Sequence, residues 1–178
     1  WWPGDHRPAS SKVLEPGVYL TGHSSVLIRS RDAGLLIDPV AWSRLGRGLD
    51  RIGLSELSPH CDVTAITHGH FDHYHLPSLM ALGDLPLILP ETGPSTIVCE
   101  DLPARMNSIG LELASVSTWG SCLDVGDLRI HVLPFHGEQF LSSECHPHLR
   151  NHGNLFVVET QDVRVGILAD AGFETGAS

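Results

Sequence analysis

The sequence predicts an α/β fold, and three observations carry this prediction. Short apolar runs typical of buried strands alternate with amphipathic runs typical of helices, and such alternation implies parallel strands in the middle of a sheet. The last third of the chain contains strand patterns separated by turns. The length of 178 residues and the hydrophobic content of 42% fit one domain with its own core. We therefore expect a single domain over residues 1–178, with residues 1–16 as an extended or poorly ordered lead-in.

The first 60 residues predict a small meander of strands. Each strand is a short apolar run bounded by glycine or polar residues, and the runs are 18–21, 25–28 and 35–37. The third run ends at Asp38-Pro39. Residues 41–60 contain three glycines and a weakly amphipathic patch, so we expect a loop there with a short helix at most.

A buried strand and a helix flank the next loop. Residues 62–67 form an apolar, β-branched run that predicts a buried parallel strand. After the loop, apolar side chains recur at helical spacing, at Leu76, Leu79, Met80 and Leu82. Because ligands usually bind at the ends of strands in α/β sheets, the loop between these elements is the expected position of a functional site.

This loop, residues 67–73, is called the histidine loop below. It contains three histidines and an aspartate within six positions, His68, His70, Asp72 and His73. Imidazole nitrogens and carboxylate oxygens are ligands that Zn²⁺, Fe²⁺ and Mn²⁺ accept. His68 and His70 can point the same way, whereas Asp72 and His73 turn toward a second position. We therefore expect two adjacent metal ions; the alternative is a turn with surface histidines.

The remainder of the chain continues the alternation and ends in a strand pair. Strand patterns cover residues 85–90, 111–116, 128–134, 154–159 and 163–168, and the run 111–116 begins a second series of strands. Helix patterns cover residues 95–99 and a stretch that begins at Asp101, with Pro103 in its first turn, and ends between Asn107 and Gly110.

Composition restricts the possible partners. The formal net charge of −10 and the isoelectric point near 5.5 argue against a nucleic-acid groove, so we expect a small-molecule substrate. The sequence has no apolar run of the roughly eighteen residues that a membrane span needs. The four cysteines are widely spaced and the first residues do not resemble a secretory leader, so we expect free thiols and a cytoplasmic protein.

At His68, His70, Asp72 and His73 the sequence resembles the metallo-β-lactamase superfamily, whose signature H-x-H-x-D-H follows a strand. The resemblance extends over about residues 17–172. It implies a metallo-β-lactamase-like β-sandwich flanked by helices, an αββα arrangement. It also implies an incomplete domain, a fragment whose C-terminal part, with a last histidine ligand, is expected as its partner.

Two further segments resemble metal-binding segments of the superfamily. Pro134-Phe135-His136-Gly137-Glu138 follows a strand at the place where most members have a histidine ligand, which favours His136. The di-iron amino-acid β-hydroxylases built on this fold instead have a P-F-x-G-E segment with glutamate as the ligand, which favours Glu138. Both alternatives stay open. Asp170-Ala171-Gly172 resembles the D-x-G segment that carries the bridging carboxylate.

Three more residues are candidates for supporting roles. Asp38 matches an aspartate that supports the metal-binding loop in the superfamily, and its alternative role is an Asx turn before Pro39. His23 lies in a G-H-S segment similar to one near the active site of some branches, which makes it a candidate substrate-binding residue; its alternative is a turn residue. Trp42 is a candidate for stacking on a substrate, with partial burial as the alternative.

The resemblance implies two divalent metal ions, zinc in the first place and iron or manganese as alternatives, with candidate ligands His68, His70, Asp72, His73, His136, Glu138 and Asp170. Asp72 and Asp170 are the candidate catalytic residues. A water molecule between two such cations loses a proton near neutral pH, so we expect a metal-dependent hydrolase whose hydroxide attacks a carbonyl or phosphoryl centre. The alternatives are a di-iron oxygenase on the same fold and a metal-binding relative without catalytic activity.

Overall fold

The computed structural model describes residues 14–40, 53–70, 72–91, 101–111, 113–136 and 152–171. In these ranges the chain forms two β-sheets that pack face to face, together with helices that pack on the other face of the first sheet. The helix expected over 95–99 and residues 1–13 of the expected lead-in lie outside the described ranges. Leu14 is partly buried, and its carbonyl oxygen accepts a hydrogen bond from Arg29 Nε at 3.0 Å.

The first sheet contains six strands in chain order: β1 (Gly17–Leu20), β2 (Val26–Arg29), β3 (Gly34–Ile37), β4 (Val63–Ala65), β5 (Leu87–Pro90) and β6 (Leu113–Ser117). The strands β1, β2 and β3 are antiparallel, whereas β3, β4, β5 and β6 are parallel. The predicted meander and the predicted parallel centre of the sheet are thus confirmed. The strand expected to begin the second series, β6, instead completes the first sheet beside β5, because the helix before it returns the chain in the parallel direction.

The second sheet is antiparallel and has the strand order β10-β9-β8-β7, with β7 at Cys122–Val125, β8 at Leu128–His136, β9 at His152–Glu159 and β10 at Arg164–Ile167. These strands are joined by turns at both described connections, as the strand patterns separated by turns in the last third of the sequence predict. The predicted pair of strands at the end of the chain is confirmed as β9 and β10.

Three short α-helices are described: α1 (Leu54–Leu57), which continues into a 3-10 helix (Ser58–His60), α2 (Leu76–Leu82) and α3 (Leu102–Ile109). The predicted bounds of α3 are confirmed: the Asp101 side chain accepts a hydrogen bond from the backbone of Ala104, and Gly110 ends the helix in the left-handed conformation with φ of 74°. Met80 of α2 is 63% exposed, so the buried face of this helix does not include it. Within the described ranges, no helix has the length and apolarity needed to cross a bilayer.

The core between the two sheets is one cluster of apolar side chains from both, including Ile28, Leu35, Ile37, Val63, Ile130, Val132, Phe156 and Val158. Each such side chain contributes about 1.5–3 kcal/mol when fully buried. The helices cover the opposite face of the first sheet. The described ranges therefore contain three layers, helices, sheet and sheet, of the four-layer arrangement that the resemblance implies.

Strand directions bring several strand ends to one edge of this sandwich. The parallel strands β3 and β4 end side by side and are followed by Asp38 and Thr67. Antiparallel pairing places the end of β8 beside the start of β9, and β10 runs toward the same end of the sheet. The backbone N–H of Asn154 in β9 donates to Thr67 O at 2.7 Å, so this edge of the second sheet is joined directly to the histidine loop.

Candidate metal centre

Asp38 supports the histidine loop from the end of β3. Its side chain is almost completely buried; Oδ1 accepts a hydrogen bond from the Thr67 backbone N–H at 2.7 Å, and Oδ2 accepts one from the Thr67 hydroxyl at 2.6 Å. Oδ2 also lies 2.8 Å from His73 Nδ1. Both carboxylate oxygens are therefore directed to the loop rather than to the residues around Pro39. Asp38 has φ of 47°, a conformation that costs about 1–3 kcal/mol and that these hydrogen bonds hold in place.

His73 is a buried imidazole whose two nitrogens have different partners. Nδ1 faces Asp38, and Nε2 lies 3.2 Å from Asp170 Oδ2 and 3.5 Å from the Ser24 hydroxyl. Burial by itself lowers the pKa of His73, but the hydrogen bond and the charge of Asp38, together with the charges of Asp170 and Asp72, raise the pKa above its ordinary value. Contact with a carboxylate at Nδ1 is the arrangement that orients Nε2 of metal-binding histidines.

His68 is fully buried and has a strongly lowered pKa. Its Nδ1 lies 3.0 Å from the Thr67 hydroxyl, and its Nε2 lies 3.0 Å from His70 Nδ1 and 3.8 Å from Asp170 Oδ2. Burial lowers the pKa of His68 to about 2, and the neighbouring rings of His73 and His70 contribute to the shift. His68 is therefore neutral at physiological pH, which is the form of imidazole that binds a metal.

Asp170 reaches both histidines from the second sheet. It follows β10, and the residue before it, Ala169, has φ of 45°. One ligand atom each from His68, His73 and Asp170 lies within 4.8 Å of the others. Two imidazole nitrogens and a carboxylate oxygen are a chemically suitable set for a divalent transition metal. The three residues therefore fit the metal that the sequence predicts.

The other predicted loop residues lie beside this group. His70 contacts His68, as described above, and Asp72 Oδ2 lies 3.7 Å from His23 Nε2. Among the described residues, the 4.8 Å group includes neither His70 nor Asp72. His23 thus lies beside Asp72, and its role as a substrate-binding residue stays a prediction.

The third ligand segment is described only in part. His136 is the last residue of β8, and its backbone is paired with His152 at the start of β9, so it lies at the same end of the second sheet as Asp170. Glu138 and Trp42, both predicted site residues, lie outside the described residues. The choice between His136 and Glu138 as a ligand stays a prediction.

Two residues at the site were not predicted from the sequence. The ring of Phe135 stacks on His68 with a centroid distance of 4.9 Å and an interplanar angle of 23°. Gly153 lies against Thr67 and His68 so closely that a Cβ atom there would overlap with both. A signal for Gly153 exists in the sequence, because a lone glycine in a strand often marks a close approach of another backbone.

Comparison with protein families agrees with this geometry. Residues 17–176 match the family model described as beta-lactamase superfamily domain. The chain is also 28% identical, over 139 residues, to the 4-amino-L-phenylalanyl-[CmlP-peptidyl-carrier-protein] 3-hydroxylase of Streptomyces venezuelae. That alignment covers 74% of this chain and 25% of the hydroxylase.

Solved structures show the same fold. The crystal structure of CmlA, a diiron beta-hydroxylase from Streptomyces venezuelae, superposes with a TM-score of 0.70 at 24% identity, over 89% of this chain and 30% of that one. Igni18, a metallo hydrolase from the archaeon Ignicoccus hospitalis, superposes with a TM-score of 0.61 at 14% identity, over 89% of this chain and 62% of that one. The chain thus spans under a third of the hydroxylase and about three fifths of the hydrolase.

Proposed function

The chain belongs to the beta-lactamase superfamily, and from this premise we propose that it holds a dinuclear metal centre and acts as a metal-dependent enzyme. The observation that carries the proposal is that His68 and His73, which follow the first sheet, and Asp170, which follows the second, each bring one ligand atom to within 4.8 Å of the others. Polar groups converge in this way, with buried hydrogen-bonded supports, where a ligand or metal is bound.

The proposed ligands are those that the resemblance implies. His68, His70 and either His136 or Glu138 would hold one metal ion, Asp72 and His73 would hold the second, and Asp170 would be shared by both. The position of Asp170 supports its bridging role, because its carboxylate lies within 3.8 Å of His68 and within 3.2 Å of His73, one from each proposed half of the centre.

Two bound divalent metal ions supply Lewis acidity and activate small molecules such as water or dioxygen. The residues of the chain orient the ligands of these ions and enclose the centre. Asp38 and Thr67 fix the two imidazole rings, and burial keeps His68 neutral. Asp170 is 48% exposed whereas His68 is completely buried, so the described part of the centre is open on the side of Asp170.

Of the two chemistries, we propose hydroxylation first. The curated relative at 28% identity is a hydroxylase, and the segment Pro134-Phe135-His136-Gly137-Glu138 matches the P-F-x-G-E pattern of the di-iron hydroxylases. In this reaction dioxygen and two electrons with two protons from a reductant convert a C–H bond to C–OH and release one water molecule. Carboxylate-rich ligand sets suit iron. An amino acid attached to a carrier protein, as in the name of the relative, is the proposed substrate class.

The second candidate is hydrolysis, which the sequence alone favours. It is supported by the position of His136 at the end of β8, where most superfamily members have a histidine ligand. Esters, lactones, thioesters and phosphodiesters are the substrate classes that such a centre attacks. The acidic net charge of −10 supports a small molecule rather than a nucleic acid in either case.

Metal analysis separates these candidates. The full-length protein, purified in air, is expected to contain two iron atoms per chain and an oxo-bridge absorption band if it is a hydroxylase, and zinc or manganese if it is a hydrolase. The matched variants Glu138→Ala and His136→Ala then identify the third ligand: loss of metal in the first supports the hydroxylase, and loss in the second supports the hydrolase. A metal-free protein, or two variants that both retain full metal content, would contradict the proposed ligand set.

The thiols support a reducing location. Cys61 is buried and free, Cys122 is exposed and free, and the other two cysteines lie outside the described residues. An exposed free thiol is typical of proteins in a reducing compartment. We therefore keep the cytoplasm as the proposed location; disulfide-linked peptides in protein isolated with its thiols blocked would contradict it.

A further inference from the structure

We propose that Gly153 is a positioning residue for the metal centre. Because it has no side chain, strand β9 lies directly against the histidine loop and fixes the direction in which His68 presents Nε2. This inference rests on the metal centre proposed above, and it adds to that centre a residue from the second sheet.

The space at Gly153 is closed on three sides. A Cβ atom built on its backbone would lie 2.5 Å from Thr67 O, 2.8 Å from His68 Cβ and 2.8 Å from Phe135 Cδ1. A methyl carbon essentially never lies this close to a non-bonded atom, so a methyl group here would force its neighbours to move. The φ angle of Gly153 lies outside the left-handed region, so the residue is glycine because of space rather than backbone conformation.

The atoms that would have to move are those that hold the His68 ring. Thr67 O accepts the hydrogen bond from the Asn154 backbone, and the Thr67 hydroxyl contacts His68 Nδ1 at 3.0 Å. Phe135, which pairs with Gly153 across β8 and β9, stacks on the His68 ring and is 1% exposed. A displacement of any of these groups therefore changes the direction of His68 Nε2.

Strand β9 cannot easily withdraw from the loop, because its first residues are anchored. Trp119 Nε1 donates to Gly153 O at 2.8 Å. The Asn154 side-chain amide donates to the Ser117 hydroxyl at 2.7 Å, and this hydroxyl donates to Leu89 O in the first sheet at 3.0 Å. The start of β9 is thus fastened to the loop on one side and to β5 and β6 on the other.

Gly153 therefore affects the distance between two candidate metal ligands. His68 Nε2 lies 3.8 Å from Asp170 Oδ2, and tenths of an ångström at this point decide whether one ion contacts both atoms. Residues behind metal ligands typically change metal affinity by about 10-fold to 100-fold when they are replaced. An extra methyl group at position 153 is expected to act in the same range although it contributes no charge and removes no hydrogen-bonding group.

The test is a Co²⁺ titration of the full-length protein and of two matched glycine variants, followed by the visible ligand-field spectrum. Gly153→Ala is expected to bind Co²⁺ at least about 10-fold more weakly than the unsubstituted protein and to show an altered spectrum. The control is Gly166→Ala, a glycine in β10 of the same sheet whose Cβ position has no atom within 4 Å. It is expected to leave affinity and spectrum unchanged.

The outcomes are distinguishable. An unsubstituted protein that binds no Co²⁺ contradicts the metal centre itself. A folded Gly153→Ala protein with unchanged affinity, or with weaker binding and an unchanged spectrum, overturns the positioning role and leaves the centre standing. If circular dichroism shows Gly153→Ala to be unfolded, Trp119→Phe is tested instead, because it removes the N–H donor to Gly153 O and replaces the indole by a smaller ring at a side chain that is 41% exposed. An altered Co²⁺ spectrum supports the role, and an unaltered spectrum overturns it.

Discussion

Two pairs of histidine and carboxylate in this molecule have similar separations and very different surroundings. In the buried pair, His73 Nδ1 lies 2.8 Å from Asp38 Oδ2, and the two side chains are 5% and 2% exposed. In the surface pair, His131 Nε2 lies 3.2 Å from Glu159 Oε1, and the side chains are 35% and 30% exposed. The two pairs are similar in the distance between their charged atoms, but they differ in burial and in the other groups that they contact.

The buried pair is part of a network that the loop needs. Asp38 also accepts two hydrogen bonds from Thr67, and the opposite nitrogen of His73 faces Asp170. The surface pair lies on the outer face of the second sheet, where Glu159 is also paired with Arg164 and is open to water, which screens its charge. A histidine beside a carboxylate therefore indicates a functional site only where burial and further partners give each atom a defined direction.

The largest predicted effect is that of Asp38→Ala. This change leaves the Thr67 N–H, the Thr67 hydroxyl and His73 Nδ1 without their buried acceptor, so we expect a loss of about 3–5 kcal/mol in the free energy of unfolding. Urea denaturation of the metal-free protein measures this loss. The control is Asp124→Ala, whose carboxylate is paired with Arg129 at the surface. Equal effects of the two changes would remove the distinction between buried and exposed carboxylates.

The two described cysteines provide a second comparison between a buried and an exposed side chain, this time in thiol reactivity. Burial raises the pKa of the Cys61 thiol to about 12, with a contribution from the charge of Asp62, whereas Cys122 is exposed. The reactive thiolate of Cys61 is therefore scarcer than that of an ordinary thiol at pH 8, by about a thousandfold. Alkylation of the native protein, followed by peptide mass spectrometry, is expected to modify Cys122 and to spare Cys61 until the protein is unfolded. Rapid labelling of Cys61 in the folded protein would show that the core beneath α1 is open.

The smallest predicted effect is that of Glu159→Gln. It removes the charge that faces His131 and Arg164 at the surface, and we expect a change of less than about 1 kcal/mol in the free energy of unfolding. The same urea experiment as for Asp38→Ala measures it. A loss similar to that of Asp38→Ala would mean that the outer face of the second sheet is as tightly coupled as the histidine loop.

The features that could be predicted from the sequence are those that depend on neighbouring residues. The histidine loop can be recognised because three histidines and an aspartate, all candidate metal ligands, fall within six positions after an apolar strand, which is a local pattern. The sequence signals for the parallel strands and for the ends of α3 are also local, since Asp101 is of a type that begins helices and Gly110 of a type that ends them. The approach of Asp170 to the loop, about 100 residues away in sequence, was expected only from the family resemblance, and the structure places it there.

The features that could not be predicted from the sequence depend on contacts between elements that are distant in sequence. Phe135 lies in the segment 134–138 that resembles a ligand segment, but its stacking on His68 follows from the packing of the end of β8 against the loop. β6 was expected in the wrong series because a short apolar run does not specify which strand it pairs with. Met80 was expected on the buried face of α2 because its spacing fits, but the described helix is only seven residues long and turns this position to solvent.

The number of metal ions bound per chain shows whether ligands from the two sheets form one centre. The full-length protein, equilibrated with an excess of Zn²⁺ or Fe²⁺ and then freed of unbound metal, is expected to retain two ions per chain. Asp170→Asn is expected to bind at least one of them about 10-fold or more weakly, because it removes the only proposed ligand shared by both ions. The control Asp162→Asn changes an exposed carboxylate in the turn before β10 and should retain both ions. Retention of two ions with unchanged affinity in Asp170→Asn, or of none in the unsubstituted protein, would contradict the account.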